Sequence, residues 1–184
     1  MNRLSESDKP MGENAITITS ASAADAPALA DLFIGHITAH PEYISHGEIQ
    51  MGVGVGTVQG DRFIACPAPD AREKWMKYIL AEMRDDAISQ VWKAVDARGA
   101  IMGFCVADIE GNEDYSFGMV GDVLVNPQCR GNGLGNTLLQ RAISWLRSKG
   151  IQDIYLESGK DNHNAHRFFE KRGFIHVSEI YRLI

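Results

Sequence analysis

The sequence predicts an α/β (α+β) domain built on a mixed, mostly antiparallel central sheet flanked by helices. Three observations carry this. Runs with strand and helix periodicity interleave along the chain. Turn signals such as Asp96-Ala97-Arg98-Gly99 join neighbouring strand-like runs into hairpins. One strand also runs through a glycine-rich turn into a long amphipathic helix. At 184 residues, 45% hydrophobic and 23% charged, the chain has the size of one domain and enough apolar residues for a core. Residues 1–14 are polar and read as a mobile tail, which leaves 15–184 as a single domain.

Ala15–Ser20 alternates like a strand, and Ser20 or Ser22 can cap the next segment. From Ala24 to Ile37, a helical face gathers Leu29, Leu32, Phe33, His36 and Ile37. The stretch 40–69 holds Gly52, Gly54, Gly56 and Gly60 with Pro41, Pro67 and Pro69. It reads as loop with one short strand near Val53–Val58. Asp70 followed by Glu73 resembles a capping box and opens a helix carrying Trp75, Met76, Ile79, Leu80 and Met83. Val91–Val95, Ile101–Ile109 and Phe117–Val125 are strand-like. Leu134–Lys149 is amphipathic, with Gly150 placed to end it. Strand Asp153–Glu157, helix Asn164–Lys171 and a last strand Ile175–Leu183 complete the order.

Composition excludes several classes. Three cysteines without a CxxC pair argue against a disulfide scaffold and for a reducing compartment. No apolar run approaches the roughly 20 residues of a membrane helix, and the start has no signal-peptide character, so a cytoplasmic, membrane-free protein is expected. His36 and His40, with His46 beyond, have zinc-compatible spacing. Without a further ligand signal no metal site is predicted. Before Asn126 the chain holds 9 Lys/Arg against 19 Asp/Glu; from there on it holds 9 against 5. The acidic part repels nucleic acid and attracts cations, while the basic part suits an anionic ligand.

The basic part contains Val125-Asn126-Pro127-Gln128-Cys129-Arg130-Gly131-Asn132-Gly133-Leu134-Gly135, where a strand ends and a helix begins. Free amides at a helix start, together with its dipole, form an anion cradle, and glycines let a diphosphate approach the backbone. Arg130 adds a fixed cation. The Walker pattern is absent. A dinucleotide-binding reading gains from Glu157, 24 residues after Gly133, but the spacing is GxGxG rather than GxGxxG.

The pattern Arg130-x-x-Gly133-x-Gly135, within LVNPQCRGNGLGNTLL, resembles motif A of the GNAT superfamily of N-acetyltransferases. Asn162 to Phe174 (NHNAHRFFEKRGF) is similar to that family's motif B, NxxAxxxYxxxGF. The resemblance implies the acyl-CoA N-acyltransferase fold. It further implies acetyl-CoA between the strands Phe117–Val125 and Asp153–Glu157, with the main chain of Val123, Leu124 and Val125 along the pantetheine arm. The amides of Gly131, Asn132, Gly133, Leu134, Gly135 and Asn136 would hold the diphosphate. Asn162 would contact CoA, cap a helix, or both. Dimers are frequent among family members.

The implied reaction is direct acetyl transfer to a primary amine of a small cationic or peptide acceptor. Asp122, an acid inside an apolar strand, is the candidate base; a carboxylate merely bonded to an amide or an Arg is the alternative. Where the family's pattern has tyrosine, as proton donor, this chain has Phe169. Tyr155, Ser158, His163 and His166 are nearby in sequence. A CoA-binding sensor without turnover and a dinucleotide-binding protein are the alternative functions.

Overall fold

The computed structural model describes residues 16–60 and 62–183; the expected tail 1–14 lies outside them. Five strands form the main sheet: β1 (Thr17–Ser20), β4 (Ser89–Val95), β5 (Ile101–Gly111), β6 (Ser116–Val125) and β7 (Ile154–Leu156), in the order β1-β4-β5-β6-β7. The first four run antiparallel, and only β6 and β7 pair in parallel. This is the mixed, mostly antiparallel sheet that the sequence predicts.

Helices cover both faces. Helix α1 (Ala26–Ala39) buries Leu29, Ala30, Phe33 and Ile37, and α3 (Ala71–Glu82) buries Trp75 and Ile79. Together with Phe104, Val106 and Leu124 of the sheet they form one core cluster. On the opposite face, α4 (Leu134–Ser148) buries Leu138, Leu139, Ala142 and Leu146 against Cys105, Ala107 and Val120. Helix α5 (His163–Glu170) adds Phe168 and Phe169 to that second cluster. Alternation along β5 and β6 sends successive side chains to opposite clusters, so one strand serves two cores. Gly150, at φ +86°, ends α4, and the Ile151 amide donates to the Leu146 carbonyl at 3.1 Å.

Three expectations are corrected. The stretch 40–69 is more ordered than a loop. It contains helix α2 (His46–Gln50) and a separate hairpin of β2 (Gly54–Gln59) and β3 (Arg62–Pro67). Ser45 and Glu48 close a capping box on α2; the short strand expected near Val53–Val58 is β2, and β3 beside it is the one the sequence does not signal. Asp70 makes no side-chain cap on α3; its carboxylate pairs with Lys74 at 2.9 Å instead. The expected last strand does not form: residues 175–183 have no regular structure, and no strand among the described residues pairs with them.

Candidate active site

The site begins where the sheet opens. Strands β6 and β7 pair at only three positions, Gly118↔Ile154, Met119↔Tyr155 and Val120↔Leu156. The next residue, Gly121, is a bulge: Ala107 opposes Val120 and Val106 opposes Asp122, so Gly121 has no partner on β5. Beyond the bulge β6 continues along β5 through Val123↔Cys105, Leu124↔Phe104 and Val125↔Gly103. Among the described residues, its β7-facing edge has no strand partner there. A bulge strengthens local twist, and β7 ends at Leu156, so the two strands part after Val120.

Gly121 is required at the apex. A Cβ on it would lie 2.7 Å from the Tyr78 hydroxyl oxygen. Asp122, the next residue, opposes Val106 and so turns to the α1/α3 side of the sheet. Burial pushes its carboxyl pKa up to about 8, and the charges of Glu48, Glu82 and Asp108 push in the same direction. Asp108 is raised to about 8 by burial and by Glu82 and Glu110, and burial also raises Glu48. Among the described residues, Glu48, Glu82, Asp108 and Asp122 thus share the α1/α3 side of the sheet without a salt bridge to any of them.

The segment after β7 is held by contacts across long sequence separations. Glu157, just past β7, accepts a hydrogen bond from the Gly47 amide of α2 at 2.8 Å. A Cβ on Gly159 would lie 2.4 Å from the Tyr43 carbonyl oxygen, so the two segments are in backbone contact. Asn164 Nδ2 donates to the Tyr43 hydroxyl at 3.4 Å. Glu48 and Tyr78 are not marked as site residues by anything local in the sequence, and Glu157 is marked only as the acid of the dinucleotide-binding alternative. The Glu48 capping box with Ser45 is the one local signal that could have placed α2.

At the far end of β6 lies the glycine turn. After a 3-10 turn at Pro127–Cys129, Gly131 and Gly133 have φ +85° and +80°, and Gly133 is the N-cap of α4. A Cβ at either would meet no heavy atom within 4 Å, so both glycines face open space and serve the backbone turn. Leu134 is buried in the core and offers the cradle its main chain alone. Gly135 sits 3.6 Å from the Phe168 ring, measured from an added Cβ. Arg172 locks this junction: its Nε donates to Asn136 Oδ1 at 2.7 Å, and its guanidinium lies 3.6 Å over the Phe168 ring. Open amides at the start of a 15-residue helix fit a diphosphate.

The remaining predicted site residues take defined places. Arg130 turns back along the strand end, its Nε donating to the Val125 carbonyl at 3.3 Å and its Nη2 lying 3.4 Å from His36 Nδ1. Burial and the Arg130 charge lower the His36 pKa to about 4, so this imidazole is neutral near pH 7. The Asn162 side chain accepts from the Ala165 amide at 3.2 Å and caps α5. Phe169 packs edge-on against Phe168 and Phe174. His166 is engaged with the Gly159 carbonyl at 3.0 Å, and the Tyr155 hydroxyl lies 3.4 Å from that of Tyr115. The Ser158 hydroxyl is buried without a hydrogen-bond partner among the described residues. No helix among the described residues is long and apolar enough to cross a membrane.

Comparison with known proteins agrees with this geometry. The acetyltransferase (GNAT) family model matches residues 61–174. Aminoglycoside N(6')-acetyltransferase type 1 of Stenotrophomonas maltophilia is 26% identical over 126 residues, covering 60% of this chain and 82% of that protein. Streptothricin acetyltransferase of Streptomyces lavendulae is 30% identical over 91 residues, 49% of this chain and 47% of its own. An uncharacterised N-acetyltransferase of Bacillus subtilis is 36% identical over 64 residues, 34% of this chain and 45% of that one. The matched region thus spans less than half of these last two relatives. Among solved structures, a predicted acetyltransferase of Clostridium acetobutylicum with acetyl-CoA superposes with TM-score 0.65 at 16% identity, covering 92% of this chain and 96% of that one. The aminoglycoside 6'-N-acetyltransferase of Acinetobacter baumannii superposes with TM-score 0.64 at 12% identity, covering 92% and 97%. With the family model matched over more than half its length and both motifs at the opening of the sheet, the chain belongs to the GNAT acetyltransferase family.

Proposed function

We propose that the protein moves an acetyl group from acetyl-CoA to a primary amine of a small cationic acceptor. The observation that carries the reading is the three-residue pairing of β6 with β7, ended by the Gly121 bulge and followed by the open glycine turn. In this reading the unpaired edge of Val123, Leu124 and Val125 and the amides of Gly131–Asn136 hold the donor. Bound there, acetyl-CoA supplies the activated thioester. The aminoglycoside and streptothricin acetyltransferases to which the chain is similar carry names of amine-rich cations, which supports an acceptor of that class.

The chain's own groups divide the work by sheet face. Asp122, facing the α1/α3 side with the other carboxyl groups, attracts the acceptor ammonium and, once ionised, takes its proton. Its raised pKa of about 8 makes it a stronger base than an ordinary carboxylate. Continuing the alternation of β7, Ser158 falls on the side of Ile154 and Leu156, which also pack with Phe169. Its free hydroxyl there donates a hydrogen bond to the leaving sulfur, the task for which Phe169 has no proton. Alignment of amine and thioester across the opening supplies the rest.

The test is release of free thiol from acetyl-CoA across a panel of aminoglycosides, polyamines and peptide amines, beside calorimetry with CoA. Turnover with one cationic class is expected. CoA binding without turnover of any amine would favour the sensor reading; absence of CoA binding with heat on adding NAD would favour a dinucleotide site.

A further inference from the structure

Where β6 and β7 part, the last residue of β6 presents its main chain to the gap. Asn126 donates to the Met102 carbonyl at 2.9 Å. In the antiparallel ladder Val125, one position earlier, therefore turns its amide and carbonyl away from β5. Arg130 Nε donates to that Val125 carbonyl at 3.3 Å. Its guanidinium thus lies across the unpaired edge of β6, immediately before the glycine turn begins at Gly131.

The same guanidinium is held from a second element. Its Nη2 lies 3.4 Å from Nδ1 of His36 on α1, 94 positions earlier in the chain. A guanidinium only donates, so the imidazole accepts here and carries its own proton on Nε2. Burial together with the Arg130 charge keeps it neutral. His36 is one of three packed rings. Its centre lies 5.4 Å from that of His40 and 5.5 Å from that of Tyr43, and His40 stacks on Tyr43 at 4.7 Å. The Tyr43 hydroxyl in turn accepts from Asn164 of α5. Through these rings Arg130, at the end of β6, is tied to the helix that follows β7.

An exposed arginine ordinarily samples many rotamers, and an anion that binds it must first order it. Two contacts order Arg130 in advance, although its side chain is exposed. Its Nη1 has no partner among the described residues, which leaves donors for an anion at the adjoining turn. We propose that His36 is a positioning residue for the donor: it accepts from Arg130 and so holds the guanidinium beside the cradle for the diphosphate of acetyl-CoA. This assignment rests on the acetyl-transfer reading, and it brings in a residue of α1, which carries neither motif.

Calorimetry of the full chain with CoA, beside steady-state kinetics with each substrate varied, tests it. His36→Leu keeps a side chain among the rings but removes the acceptor. It is expected to weaken CoA binding about five- to tenfold and to raise the KM for acetyl-CoA alike. A merely structural loss would also move kcat and the KM for the amine, which are expected to stay unchanged. His36→Asn offers its Oδ1 near the place of Nδ1 and is expected to recover most of the loss. In an Arg130→Ala background His36→Leu should cost nothing further. Unchanged CoA affinity in folded His36→Leu, no recovery in His36→Asn, or losses that add to that of Arg130→Ala would each overturn the inference while the parent still binds CoA. A parent that binds no CoA would overturn the acetyl-transfer reading as well.

Discussion

The Glu157 carboxylate accepts a hydrogen bond from the Gly47 amide at 2.8 Å, joining the end of β7 to the start of α2 across 110 positions of sequence. The Glu157 charge adds to the burial that raises Glu48, and the Glu48 charge in turn acts on Asp122. Glu48 is thus set beside Glu157 by the contact between α2 and the end of β7, two elements that nothing in the local sequence connects.

Removing that contact is expected to act on the acceptor first. Glu157→Ala should raise the KM for the amine several-fold while leaving that for acetyl-CoA nearly unchanged, and should speed exchange of the amides of residues 45–50. Steady-state kinetics with each substrate varied, beside hydrogen exchange, checks this.

Gly159→Ala probes the segment after β7 by crowding. Its Cβ would lie 2.4 Å from the Tyr43 carbonyl oxygen and 3.1 Å from that of Ile44, so one segment must move. A loss of about 1–3 kcal/mol in denaturant unfolding is expected.

At the glycine turn, Gly133→Asp is expected to weaken CoA binding by at least about tenfold in calorimetry. Its φ of +80° strains any side chain, and the carboxylate would occupy the anion's place. Gly133→Ala carries the strain alone and should lose less affinity. Equal affinity in the folded Asp variant would remove the cradle from the site.

Asp122 links rate and stability to pH in opposite senses. As a base it acts ionised, so kcat/KM should rise with pH and level off above about pH 8; Asp122→Asn should abolish that limb and cost on the order of a hundredfold in rate. A folded-state pKa above the unfolded value means that the native state binds the extra proton between about pH 4 and 8. Stability from this group therefore falls as pH rises through that window. Thermal melts of Asp122→Asn should be flatter with pH and, near pH 8, higher than those of the parent.

Ser158→Ala should lower kcat by about tenfold and raise the thiol pKa of bound CoA, read from thiolate absorbance. Adding Phe169→Tyr to that variant restores a hydroxyl on the same side of the opening and should recover part of both effects. No change in the bound thiol's pKa would remove Ser158 from the reaction.

Local patterns made much of this protein legible. The stripe Leu134, Leu138, Leu139, Ala142 and Leu146 marks α4, and the paired glycines before it mark the turn, because helix period and positive φ are written in nearest neighbours. Asp122 stood out as an acid among apolar strand residues. The short strand near Val53–Val58 is legible as β2, but its partner β3 is not, and Gly54 and Gly56 weaken the strand pattern. Their reason is tertiary: a Cβ there would lie 2.6 Å from Ile44 and 2.1 Å from Phe63.

The sequence by itself determined the order of elements, the two motifs and the separation of charge, all of which depend on residues close together in the chain. Only the tertiary structure decided that Gly121 bulges, that Glu48, Glu82 and Asp108 come near Asp122, and that residues 175–183 find no strand to pair with among the described residues. Those outcomes depend on which backbone edges and carboxyl groups meet once distant segments are packed, and burial then sets their charge. A short alternating segment marks a strand's propensity; its partner is supplied by the fold.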